Sequence, residues 1–275
     1  MHPVVLITGS SHGIGLAAAL HMAKHGYQVY ATVRNLAQCT ELRQAAEKLP
    51  SLVIKQLDVA DKTSVQTAVK EILKETRHID VLICNAGIGF YGPTETLKEK
   101  ELKRLFNVNV LGTVRVVDAV VPSMRAHEQG CIILLGSISG ISPSRNLPAY
   151  AMTKAAIESY AATNAEALAK WNIRIKLLLP GPVVTDFEPR TPFGSRFKEG
   201  ENPYKQSVEK GRQNWKEMMD KGQSAEEVAV IMQKAVESHD DQRLWIPTSQ
   251  YVYDVAAKHF KDPTGRVRIP NGPKL

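Results

Sequence analysis

Near the start of the chain an apolar run passes straight into a glycine-rich turn, and that junction constrains the fold more than any other feature. Val4–Thr8 reads as a buried strand, Thr8-Gly9-Ser10-Ser11-His12-Gly13-Ile14-Gly15 follows without a spacer, and residues 16–25 read as an apolar helix. Strand, glycine turn and helix together open a βαβ unit. Such a turn lets the backbone approach a ligand closely and presents the free N–H groups of the helix start to an anion.

The alternation continues. Further strand-like runs fall at 28–33, 52–57, 81–85, 131–137 and 173–179, read as apolar throughout rather than alternating, which suits a parallel sheet covered on both faces. Helical patterns lie between them. Val65, Val69, Ile72 and Leu73 mark one face of a helix that Asp61 caps, and Ser224-Ala-Glu-Glu227 is a capping box before Val228, Ile231, Met232 and Ala235. The expectation is a single α/β domain over 1–275, a doubly wound parallel sheet with helices on both faces. Within it, 187–222 is read as a substrate loop or lid and 254–275 as a C-terminal tail.

Composition matters mainly for what it excludes. Lys and Arg number 35 against 28 Asp and Glu, a net charge of +7, but the basic residues are interleaved with acids, as in Lys98-Glu99-Lys100-Glu101. No dense basic run tracks a phosphate backbone, so no nucleic-acid partner is expected. No apolar run approaches the roughly 18–20 residues of a membrane span. The first strand begins too close to Met1 for a cleaved leader, which points to the cytoplasm. Cys39, Cys84 and Cys131 show no paired spacing, consistent with a reducing compartment.

The turn at 8–15 is not a phosphate loop of the lysine-containing kind, since no lysine follows the last glycine. Its context points to a dinucleotide. In chains that take NAD, an acid about 20 residues on holds the ribose 2′-hydroxyl. Here Val33 stands in that place and Arg34 follows it. An arginine suits a 2′-phosphate, so NADP(H) is the expected cofactor, with His12 a second donor and Ser10 or Ser11 a third.

Tyr150-Ala-Met-Thr-Lys154 puts a phenol and an ammonium on one helical face. A nearby cation favours the phenolate and so lowers the tyrosine pKa. Thirteen residues earlier Ser137 ends a strand, Asn85-Ala-Gly87 ends another, and Asn107-Val-Asn109-Val is read as opening a helix. Together with Pro180-Gly181-Pro182-Val183-x-Thr185, these motifs resemble, in order and spacing, the short-chain dehydrogenase/reductases over residues 4–185. Within that family the chain looks most like the 17β-hydroxysteroid and retinol dehydrogenase subgroup, on Ala-Thr-Val-Arg after the second strand, the 181–185 motif and Asp262-Pro-Thr-Gly265.

The resemblance implies a Rossmann-type fold and hydride transfer between a nicotinamide and a carbonyl or alcohol. It implies that Tyr150 is the general acid and Ser137 polarises the carbonyl oxygen. Lys154 then holds the ribose, and Asn109 anchors a relay water. Asp58 contacts adenine; Asn85, Ala86 and Gly87 support the cofactor; Pro180, Gly181, Val183 and Thr185 hold its carboxamide end, with Thr8 to Gly15 beneath the phosphates. It also implies a homodimer or homotetramer through the helices after strands four and five.

The aromatic and Met residues of the lid, among them Phe187, Trp215, Met218 and Met219, suit a lipophilic substrate such as a steroid or retinoid. A general reductase of small metabolites or xenobiotics is the alternative, and a non-catalytic NADP(H) sensor a second. A serine hydrolase is disfavoured because Ile138 replaces the serine of the elbow motif at 136–140. A metal site is disfavoured because Met22 stands where a zincin has glutamate between His21 and His25.

Overall fold

The computed structural model describes residues 2–143, 146–198, 202–238 and 243–261. Nine strands occur in it: β1 Val4–Thr8, β2 Gln28–Val33, β3 Leu52–Gln56, β4 Val81–Cys84, β5 Gly130–Leu135, β6 Ile173–Leu179, β7 Val183–Val184, β8 Gln223–Ser224 and β9 Trp245–Pro247. Seven form one wholly parallel sheet in the order β3-β2-β1-β4-β5-β6-β9, while β7 and β8 pair separately. This is the doubly wound α/β architecture expected. Strand order reverses between β1 and β4, so a crevice opens at their carboxyl ends.

Alternate side chains of each strand feed opposite cores. Leu6, Leu82 and Ile132 point to the face covered by α3 (Lys62–Thr76), α5 (Gly112–Ala126) and α7 (Pro148–Ala169). Val5, Ile83 and Ile133 point to the face covered by α1 (Gly13–Lys24) and α10 (Ala225–Glu237). Asp61 accepts the Thr63 N–H at the start of α3, and Ser224 and Glu227 exchange hydrogen bonds at the start of α10, as the sequence predicts. The remaining helices are α2 (Thr40–Ala46), α4 (Glu99–Phe106), α6 (Ile138–Ile141), α8 (Phe187–Arg190), α9 (Lys205–Asp220) and α11 (Gln250–Lys261).

Several expectations need correcting. β3 is an edge strand, and its Lys55 pairs with Glu75 on α3 rather than lying in an apolar run. Asn107 does not open a helix: α4 and α5 are one continuous helix, Glu99–Ala126, with a π-turn at Asn107–Leu111 inserted between them. That helix is long and apolar enough to cross a membrane by length and composition alone, although no uninterrupted apolar run signals it. Val116, Val120 and Met124 bury one side of it in the core. Residues 254–261 belong to α11, whose Val252 and Ala256 are buried, so they are not tail; Asp262-Pro-Thr-Gly265 lies outside the described residues. The short edge strand β9 carries no pattern long enough to predict.

Candidate active site

A cleft of about 650 Å³ opens where the strand order reverses. The glycine turn makes one wall. Gly9 sits at φ +71, in the left-handed region, and a Cβ there would come within 2.8 Å of the Ala86 Cα. A Cβ on Gly15 would strike the Asn85 amide and the Gly9 carbonyl, so α1 approaches β4 as closely as only glycine permits. Asn85 returns the contact, its side-chain amide donating to the carbonyls of Thr8 and Gly9. Gly9, Ser11, His12, Gly13 and Ile14 line the cleft.

Three residues of the turn do not line it. Thr8 is buried, and its hydroxyl accepts the N–H groups of Asn85 and Ala86. Ser10 is buried with its hydroxyl donating to the Ile7 carbonyl, which removes it as a donor to a ligand in the cleft. Gly15 lies behind the turn. Ser11 hydrogen-bonds His12 Nδ1 at 2.7 Å, and burial pushes the His12 pKa down, with the Arg190 charge adding to the effect. Both effects favour the neutral imidazole.

Arg34 follows buried Val33 at the end of β2 and lines the outer end of the cleft beside Asn35 and Gln38. Asp58 lines it too, with its carboxylate accepting the Ala60 N–H. Asn85, Ala86 and Gly87 form the floor, and Pro180, Gly181, Val183 and Thr185 the far wall.

The polar centre lies at the inner end. Ser137 caps α6, its Oγ accepting the Ser139 N–H at 3.1 Å, and its hydroxyl hydrogen-bonds the Tyr150 phenol. Tyr150 keeps part of its surface open to the cleft, yet burial pushes the phenol up to about 12 and the Ser137 bond recovers only part of that. The lowered tyrosine pKa expected from Lys154 is thus not met: burial wins. Lys154 is itself buried. Its Nζ donates to the Leu135 carbonyl at 2.6 Å, stands 5.5 Å from the Tyr150 ring centroid, and is pushed down to about 8 by burial.

Asn109 lies outside the cleft lining. Its side chain donates to the Ile88 carbonyl and to Thr153 Oγ1 and accepts the Ile88 N–H, so it fixes the loop after β4. The π-turn re-aims the side chain onto that loop.

These residues fit a dinucleotide: a cradle that a Cβ would fill, a helix start beneath it, and a cationic outer end leading to a phenol and an ammonium. The family model described as short chain dehydrogenase matches residues 3–192. The chain belongs to the short-chain dehydrogenase family. Human retinol dehydrogenase 8 is 40% identical to it over 189 residues, 67% of this chain and 60% of that protein. Human 17-beta-hydroxysteroid dehydrogenase type 1 is 39% identical over 191 residues, 67% and 58%. The alignments thus span about three fifths of these relatives' length. A short-chain dehydrogenase structure from Streptomyces avermitilis, 27% identical, superposes with a TM-score of 0.84 over 94% of this chain and 92% of the other.

The segment read as a lid contributes side chains to the cleft. Phe187, Trp215 and Met219 line it, and the Phe187 ring lies 5.5 Å from that of Tyr150. Phe193 and Phe197 instead stack on each other, with Phe193 beside Tyr91. Met218, expected on the substrate side with Trp215, is 38% exposed and turned away, because it falls a quarter-turn off the line through Val208, Trp215 and Met219. His21 hydrogen-bonds Gln233 of α10. Among the described residues no group of His, Cys, Asp and Glu is placed to hold a metal. Sequence reasoning missed Arg190, which also lines the cleft. A charged residue between prolines in a lid carries no periodic signal.

Proposed function

We propose that this protein is an NADP(H)-dependent oxidoreductase acting on a lipophilic carbonyl or alcohol, of the steroid or retinoid kind. One observation carries the reading. The hydrogen-bonded Ser137–Tyr150 pair, with Lys154 one helical turn on, shares a cleft with the glycine turn and with Arg34.

When bound, the dinucleotide supplies or accepts the hydride. The chain does the rest. Arg34 would hold the 2′-phosphate by a charge-assisted contact, with His12 beside the phosphates. Ser137 polarises the carbonyl oxygen. Tyr150, protonated at neutral pH, gives up its proton to that oxygen as negative charge grows there. Lys154, mostly cationic below about pH 8, stabilises the phenolate left behind. Phe187, Trp215 and Met219 shed water from the substrate side. Support for the substrate class comes from these apolar walls and from the likeness to retinol dehydrogenase 8 and 17-beta-hydroxysteroid dehydrogenase type 1. The reading includes a cytoplasmic homodimer or homotetramer through the helix 99–126 and α7, where Leu111 of the π-turn and Met152 of α7 stand 50% and 47% exposed.

The test is NADPH oxidation across steroid, retinal, sugar and small-ketone panels, with NADH as control. Bulky apolar carbonyls should turn over with NADPH preferred. Tyr150→Phe should lose roughly 10²–10⁴ in kcat while still binding NADPH. Turnover of small ketones alone would favour the general reductase, and binding without turnover the sensor.

A further inference from the structure

The four-residue helix α8 touches three parts of the cleft at once. The segment entering it packs on the glycine turn, since a Cβ on Gly13 would meet Thr185 Cβ at 3.3 Å, and Phe187 N–H donates to Thr185 Oγ1. Phe187 then lies beside the Tyr150 ring. At the end of α8, Arg190 lines the same cleft as Gly9, His12 and Gly13, near enough to His12 for its charge to act on the imidazole. It pairs with Asp186, Nη2 to Oδ2 at 3.5 Å, and both side chains are about 60% exposed. A pair of that length and exposure holds a guanidinium loosely.

Between those two residues Glu188 points the other way. It is buried, and its Oε1 accepts from Arg212 Nε at 2.7 Å. The Arg212 guanidinium in turn lies 5.0 Å from the Tyr91 ring centroid and 4.8 Å from that of Phe193. Arg212 belongs to α9, the helix that brings Trp215 and Met219 to the cleft. α8 is therefore fastened to the lid helix on one side and presents a weakly held cation to the phosphate wall on the other.

We propose that Arg190 binds the pyrophosphate of the dinucleotide, and that the Glu188–Arg212 pair carries this contact to α9, so that the nucleotide seats the substrate lid. The proposal rests on the nucleotide-binding reading above. Arg34, at the outer end, senses the 2′-phosphate; Arg190, over the glycine turn, senses the diphosphate that NADPH and NADH share. Arg190 is a binding residue, and Glu188 and Arg212 are positioning residues.

Fluorescence titration and limited proteolysis test it. Arg190→Gln should weaken NADPH and NADH alike, by about tenfold. It should leave 2′-AMP, which has no pyrophosphate, at its parental affinity. Arg34→Ala should weaken NADPH and 2′-AMP but spare NADH. Saturating NADPH should slow tryptic cleavage at Lys205, Lys210 and Lys216 of α9 at least threefold in the parent protein. That protection should vanish in Glu188→Gln at an NADPH concentration that saturates the variant, with circular dichroism verifying the fold. Unchanged dinucleotide affinity in Arg190→Gln, an equal loss of 2′-AMP affinity, or full protection of α9 in Glu188→Gln would each overturn the proposal. A parent protein that binds neither dinucleotide would instead refute the nucleotide reading itself.

Discussion

At Lys154 two demands pull against each other: the site wants a cation beside a phenol, and burial penalises it. Burial lowers the lysine pKa from 10.5 to about 8. Below pH 8 both folded and unfolded chains hold this proton, and the cost of burying the charge is fully present. Between about 8 and 10.5 the folded chain has released the proton and the unfolded chain has not, so stability rises with pH across that window. Thermal melts of the parent and of Lys154→Met should therefore differ by an amount that shifts in the parent's favour from pH 8 to pH 10.5; a flat difference would mean that Lys154 is not desolvated as described. That Tyr150, Ser137 and Lys154 meet in one cleft was legible because their spacing is simple: four residues on a helix, and a serine at the end of a strand. The inward aim of Thr8 and Ser10 was not, since it depends on which way the chain leaves Gly9 at positive φ. Nor was Arg190, whose neighbours come from distant segments.

At the scale of elements, sequence periodicity located nearly every strand of the main sheet but misjudged the places where a helix departs from 3.6 residues per turn. The π-turn at Asn107–Leu111 is such a place. It breaks the apolar phase between Leu105 and Val116, so the sequence reads as two helices where the chain makes one. The extra residue sets Asn109 against both peptide groups of Ile88 and against Thr153. Asn109→Ala should then leave buried peptide groups unpaired and cost roughly 2–4 kcal/mol, seen as a lower urea midpoint. Substrate-independent loss of NADPH affinity should follow, because the loop at 86–88 floors the cleft. Helix α9 carries a related lesson: packing alone settles that Met218 turns away while Trp215 and Met219 reach the cleft.

Across the whole molecule the +7 charge has no single seat, and the cations placed to matter, Arg34, Lys154 and Arg190, face the cleft. What the sequence could not supply was the far side of assembly, because an exposed apolar residue on a helix says nothing by itself about what covers it. Sedimentation should give at least twice the monomer mass, and Leu111→Glu with Met152→Glu should return it to one chain; a parent protein that sediments as a monomer at micromolar concentration would end that reading. The sheet order has a temporal consequence too. β1 sits between β2 and β4, and the cleft's far wall at Pro180–Thr185 follows only after β6 has paired. A chain still emerging from the ribosome at residue 170 already carries the glycine turn, the phenol and the ammonium, yet leaves β5 as an open edge without its neighbour. Such long-range parallel pairing is slow to form. Synthesis therefore passes through an interval in which every reactive group exists and none is assembled, and dinucleotide capture should mark the moment that interval closes.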